Sequence, residues 1–161
     1  MTPSGLIAPE NVLVGLRVAD KAAALRTLSA KAAAATGLDA ETILSALQKR
    51  ETLGSTGLGR GFAVPHARIE TLDRFFSVFA RLARPIDFAA IDEQPVDLLW
   101  LLLIPDRAGN EHVAALSVIA RQLRPDSALV DLRRAKNAGA VYARLVQEMP
   151  PPAAATAATQ N

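Results

Sequence analysis

Cysteine is absent from the 161 residues. Disulfide staples, thiolate nucleophiles and cysteine-rich metal sites are thereby excluded. Histidine is scarce: there are only two, His66 and His112, and they do not stand at i and i+4, so no metal is expected. Charge of one sign is also missing. The chain has 18 Lys and Arg against 16 Asp and Glu, a formal net charge of +2, and the signs alternate with no basic block. Nucleic-acid binding is a poor expectation on that balance. The longest apolar run, Leu98 to Ile104, is far too short to cross a bilayer. Met1 to Glu10 lacks the basic start and apolar stretch of a signal peptide. These absences point to a cytoplasmic protein with no membrane insertion.

What is present is a globular chain, half of it hydrophobic and long enough for one domain with a real core. Residues 1–149 read as that domain. From Pro150 the low-complexity run of Pro, Ala and Thr to Asn161 reads as a disordered tail. Asn11 to Leu16 reads as a short strand. Asp20 can cap a helix running to about Ala35, ended by Gly37. Asp39 can cap a second, with Ile43, Leu44 and Leu47 on one face and Arg50 near its C-terminus. Phe62 to Val64 reads as a strand that delivers His66 at its end, because Pro65 pushes Val64 into an extended conformation. Phe75 to Leu82 is a strand, Pro85 to Gln94 a turn-rich connection, and Val96 to Ile104 a strand covered on both faces. Asn110 can cap a helix to about Arg124, burying Val113, Leu116, Ile119, Ala120 and Leu123. Pro125 breaks it, and Asp126 to Ala135 and Ala138 to Glu148 are two further helices. The alternation predicts an α/β fold, a mixed β-sheet flanked by helices on both faces in three layers.

The chemistry concentrates around His66. Imidazole accepts and passes on groups near neutral pH. The preceding segment holds Gly54, Gly57, Gly59 and Gly61, which can turn the backbone tightly and present N–H groups to an anion. A phosphate-binding cradle from Thr56, Gly57, Gly59 and Gly61 is therefore expected. Arg50, Arg60 and Arg68 are the candidate cations. His112 falls in the first turn of its helix, where the helix field favours an anion and disfavours imidazolium. Together these are the parts of a phosphohistidine site, which needs little beyond positioning and charge stabilisation. Competing sites fit worse. Thr56 to Gly61 lacks the dinucleotide-loop spacing and precedes a strand, and there is neither a P-loop ending nor a Gly-x-Ser-x-Gly elbow. A structural or nucleotide-binding module would leave His66 without chemistry.

The run Arg50-Glu51 through Leu53-Gly54-Ser55-Thr56-Gly57-Leu58-Gly59-Arg60-Gly61-Phe62-Ala63-Val64-Pro65-His66 resembles the active-site signature of the enzyme IIA components of the bacterial phosphoenolpyruvate phosphotransferase system, fructose and mannitol class. The likeness continues through Pro85 to Leu98, the strand ending Ile104-Pro105, and His112 with its helix. It covers roughly residues 6 to 146. The resemblance implies that His66 accepts a phosphoryl group through Nε2 from the phosphorylated histidine-containing phosphocarrier protein. It also implies that His112 and Arg50 support the transfer, and that no cofactor is required. Within the class the chain looks most like the nitrogen-regulatory enzyme IIA. That kinship implies control of partner proteins, such as potassium transport or sensor-kinase systems, through the phosphorylation state. The alternative is a sugar-transport enzyme IIA that passes its phosphoryl group to a separate IIB component.

Overall fold

The computed structural model describes residues 1–148, and the expected tail from Pro150 lies outside the described residues. Its centre is β6 (Val96–Pro105), ten residues of which nine are buried. Side chains of a strand alternate between faces. Here Leu99, Leu101 and Leu103 enter one core while Leu98, Trp100, Leu102 and Ile104 enter the other. A strand apolar on both faces must be covered on both, and it is.

β5 (Phe76–Ile86) runs antiparallel to β6, and β1 (Val12–Leu16) runs parallel to β5 at the sheet edge. On the other side of β6 lie β3 (Phe62–Ala63) and β4 (His66–Ile69), both parallel to it, with β2 (Gly57–Gly59) antiparallel to β3. Helices α1 (Lys21–Thr36) and α2 (Ala40–Thr52) cover one face. Helices α3 (Glu111–Leu123), α4 (Asp126–Arg134) and α5 (Ala138–Leu145) cover the other. The three layers and the mixed sheet match the expectation from sequence.

The helix ends follow their capping residues. The Ala23 N–H donates to Asp20 and the Thr42 N–H to Asp39, so each carboxylate satisfies a first-turn donor. Gly37 ends α1 with φ at +77°, a conformation that glycine adopts without strain.

Four local expectations change. His66 does not close the strand that begins at Phe62; it opens β4. Phe62 pairs with Leu98 and His66 with Leu102, so the chain keeps one register past β6. The ladder is interrupted because Pro65 has no N–H to give β6; the Val64 N–H faces the other way and donates to the Thr56 carbonyl, 3.0 Å away. Secondly, β5 continues through Pro85 to Ile86, with Pro85 exposed where the pairing with β6 is irregular. Thirdly, Asn110 precedes α3 but its side chain caps nothing, and Val113 is 56% exposed. The buried face of α3 is Ala115, Val118, Ile119, Gln122 and Leu123. Lastly, the final helix stops at Leu145, not Glu148, and the Gln122 amide donates to the carbonyls of Leu145 and Gln147.

Candidate functional site

The register of β4 decides where His66 points. Ala67 and Ile69 enter the core beneath α1 and α2, so His66 and Arg68 project to the α3 side. There an open groove of about 910 Å³ lies between the exposed side of α2 and the start of α3. Its lining includes Lys49 and Arg50 of α2, Leu53 just after it, His66 and Arg68 of β4, and His112 of α3. The fold thus brings together both histidines and two of the three candidate arginines.

His66 is half-buried, and its Nδ1 lies 2.7 Å from the Val64 carbonyl oxygen. A carbonyl only accepts, so Nδ1 carries the proton. Nε2 then holds the free lone pair. Burial pushes the His66 pKa below the ordinary histidine value. The Val64 carbonyl works against that shift, Arg50 adds to it, Glu51 opposes it and His112 adds to it. The net direction keeps the imidazole neutral, the form that can attack.

A titration of His66 by NMR tests this. Its midpoint is expected below about 6.5. The folded state then holds this proton less tightly than the unfolded chain. Falling pH protonates the unfolded state first, so this residue's contribution destabilises the fold from about pH 6.5 down to the folded midpoint and levels off beyond it. A midpoint above 6.5 is the contrary result.

Arg68 braces the second histidine. Its guanidinium donates to the carbonyls of Asp106 and Gly109, at 3.2 and 2.9 Å. The same group lies 3.0 Å from His112 Nδ1, which also lies 2.8 Å from the Gly109 carbonyl. His112 is thus fixed at the start of α3, whose first-turn N–H groups favour an anion. Arg50 donates to the Gly54 carbonyl at 2.9 Å, closing the end of α2 while its charge reaches His66. Arg60 stands elsewhere. Its guanidinium donates to the Leu123 and Arg124 carbonyls and to Asp126, tying the β2–β3 hairpin to the α3–α4 junction.

The expected cradle of Thr56, Gly57, Gly59 and Gly61 does not form part of the groove wall. The Thr56 N–H is committed to Glu51 and the Gly57 N–H to the Ser55 hydroxyl. A Cβ on Gly57 would meet Ala90 at 2.8 Å, and one on Gly59 would meet Asp92 at 3.3 Å. Gly61 has φ at +84°, and a Cβ there would fall 2.2 Å from the Arg133 guanidinium. That guanidinium pairs with Asp97 and donates to the Arg60 carbonyl. These glycines let loops and an arginine approach the chain closely. Gly61→Ala is therefore expected to cost about 2 kcal/mol of stability through strain and a displaced ion pair. Phosphoryl uptake measured below the melting temperature should stay nearly normal. Full stability with lost uptake would restore the cradle reading.

Sequence reasoning left Glu51 without a role. Its side chain is only 6% exposed, beside Lys21 at 2.9 Å. A signal was available: an acid in the last turn of a helix opposes the helix field, so it needs a local reason to be there. Among the described residues no group of three or more His, Cys, Asp or Glu is arranged to hold a metal ion.

Residues 6–148 match the family described as "Phosphoenolpyruvate-dependent sugar phosphotransferase system, EIIA 2". A protein of Bradyrhizobium diazoefficiens named nitrogen regulatory protein is 45% identical over 96% of this chain and 100% of its own length. Nitrogen regulatory protein IIA-Ntr from Neisseria meningitidis superposes with a TM-score of 0.83 at 30% identity, over 87% of this chain and 96% of that one. The mannitol IIA of Escherichia coli, at 23% identity, shares the fold with a TM-score of 0.71 over 86% of this chain and 97% of its own. With nearly all of its described residues matched, the chain belongs to the EIIA 2 family of the phosphoenolpyruvate-dependent phosphotransferase system.

Proposed function

We propose that this chain is a nitrogen-regulatory phosphocarrier whose acceptor atom is His66 Nε2. The observation that carries the reading is the Val64 carbonyl at 2.7 Å from Nδ1, which leaves Nε2 unprotonated in the groove. The donor is the phosphorylated histidine-containing phosphocarrier protein, charged by enzyme I from phosphoenolpyruvate. In the transfer the donor's P–N bond breaks and its electron pair stays on the donor ring. The Nε2 lone pair forms the new P–N bond. His66 keeps its Nδ1 proton, so the phosphorylated ring gains positive character and its bond to the Val64 carbonyl strengthens. An interaction that tightens as the reaction proceeds is the kind that lowers a barrier. Arg50 and Arg68 supply positive charge, and the first turn of α3 with His112 supplies a field that suits the incoming phosphoryl oxygens.

The regulatory branch is supported by the 45%-identical relative named as a nitrogen regulatory protein. In that role residues 1–149 act as one cytoplasmic carrier domain. A dianionic group on His66 would change the charge of a groove lined by Lys49, Arg50 and Arg68. Partner proteins, among them potassium transport or sensor-kinase systems, would then read the two states differently.

The test is intact-protein mass at alkaline pH, where phosphohistidine survives, after incubation with phosphoenolpyruvate, enzyme I and the histidine phosphocarrier. A gain of one phosphoryl group is expected. No gain with active donors overturns the proposal.

A further inference from the structure

The carbonyl that fixes the His66 tautomer belongs to a residue that β6 does not hold. In β4 and the chain before it, Pro65 and Gly61 offer their carbonyls to the Leu102 and Leu98 N–H groups of β6. Val64 alternates with them and faces away from β6. Its N–H donates instead to the Thr56 carbonyl at 3.0 Å. Its own carbonyl receives the His66 ring. The aim of that carbonyl therefore depends on where Thr56 is held.

Thr56 is held by Glu51. The Thr56 N–H donates to Oε1 at 3.1 Å and its hydroxyl donates to Oε2, so both carboxylate oxygens grip one residue. Oε1 also receives Lys21 Nζ at 2.9 Å, and that ammonium lies 4.5 Å from the centre of the Phe88 ring. Thr56 itself is buried. A continuous path of contacts thus runs from Lys21 and Glu51 through Thr56 and Val64 to His66 Nδ1. None of the first four touches the reacting nitrogen.

We propose that Glu51, paired with Lys21, is a positioning residue for His66. Through Thr56 it aims the Val64 carbonyl that keeps the imidazole in its Nδ1–H form and leaves Nε2 as the nucleophile. The inference rests on His66 being the phosphoryl acceptor, and it adds the residue that orients it.

Charge and aim separate cleanly here. The charged or titratable groups around the imidazole are Lys49, Arg50 and Glu51 from α2, Arg68 from its own strand and His112 from α3, with Asp39 and Glu41 also on the groove. Glu51 raises the His66 pKa, against Arg50 and His112. Loss of its charge should therefore move the titration to lower pH. Loss of its grip on Thr56 should instead change the tautomer.

The experiment uses the full chain with ¹⁵N-labelled histidine. Long-range ¹H–¹⁵N spectra read the His66 tautomer, and the rate and KM of phosphoryl uptake are measured with the phosphocarrier as donor. Glu51→Gln keeps an acceptor for the Thr56 N–H and loses the charge. Its one oxygen cannot accept from both the Thr56 N–H and the Thr56 hydroxyl as the two carboxylate oxygens do, so it should titrate His66 at lower pH and fall between wild type and Glu51→Ala in tautomer and rate. Glu51→Ala loses both. It should show mixed tautomers and slow uptake on the order of tenfold or more, the scale of losing an orienting outer partner, with KM little changed. If Glu51→Ala does not fold, Glu51→Asp decides, because it keeps the charge but cannot reach Thr56 with both oxygens. A folded Glu51→Ala or Glu51→Asp protein with the normal tautomer and rate overturns the proposal. Wild-type protein that takes up no phosphoryl group instead fails the carrier reading, while the tautomer spectra still test the positioning.

Discussion

A His66→Ala protein is expected to take up no phosphoryl group while remaining folded. The acceptor atom is removed outright, and no other side chain in the groove offers an equivalent lone pair in place. His112 is the nearest chemical substitute, but the Arg68 guanidinium, which only donates, competes with the Gly109 carbonyl for its Nδ1, so its Nε2 is not held in the free-lone-pair form as that of His66 is. Stability changes little for a physical reason. His66 is half-buried, and the side-chain bond given up is the one to the Val64 carbonyl, worth about 1 kcal/mol net. The main-chain register with Leu102 does not depend on the imidazole. His112→Ala leaves the acceptor intact and should slow uptake without abolishing it. The check is the alkaline mass measurement beside a thermal melt. A His66→Ala protein that gains a phosphoryl group at the wild-type rate would sink the site assignment.

The parts of this protein that were legible in the sequence are those governed by local rules. Asp20 and Asp39 announced two helix starts because a carboxylate at that position satisfies first-turn N–H groups whatever the rest of the chain does. The apolar run in β6 announced a doubly covered strand because no other placement hides both its faces. The regions that misled depend on long-range placement. Glycines at Gly57, Gly59 and Gly61 suggest an anion loop on composition alone, yet their neighbours are Ala90, Asp92 and Arg133, separated from them by roughly thirty to seventy positions. Arg60 and Arg68 looked interchangeable as cations. Their roles diverge because Arg60 sits in the β2–β3 turn, with φ at +58°, and reaches the α3–α4 junction, while β4 delivers Arg68 to His112. Helical periodicity places Val113 inward, but the rotation of α3 on the sheet is set by packing that its own sequence does not contain. Glu51 stands out in the sequence only as an acid in the last turn of a helix, and its role is hidden for the same reason. Its partners Lys21 and Thr56 come from a different helix and from the loop, and only the fold makes it a clamp.

Trp100→Ala is expected to be the most destabilising single change in the sheet, costing about 4 kcal/mol. Trp100 is fully buried in the core beneath α3, α4 and α5, and meets Phe79 edge to face with ring centres 6.0 Å apart. Truncation removes the largest side chain of that core and leaves a void between β5, β6 and the helices, which a central strand cannot collapse to fill. Against a typical total of about 5–15 kcal/mol this is a large fraction. The melting temperature should fall on the order of 10 °C. Trp100→Phe should cost much less. It preserves an aromatic edge for Phe79, and it removes an indole N–H that is buried with no hydrogen-bond partner among the described residues. Leaving such a donor buried costs about 1–3 kcal/mol, so its removal offsets part of the lost ring area. A Trp100→Ala protein melting within a degree or two of wild type would show that this core tolerates the void. The consequence for chemistry follows from register. Two residues along β6, the Leu102 N–H donates to the Pro65 carbonyl at 2.9 Å, the last ladder bond before His66. A loosened β6 should therefore cost transfer rate even below the melting temperature, because the nucleophile is aimed by the strand that Trp100 anchors.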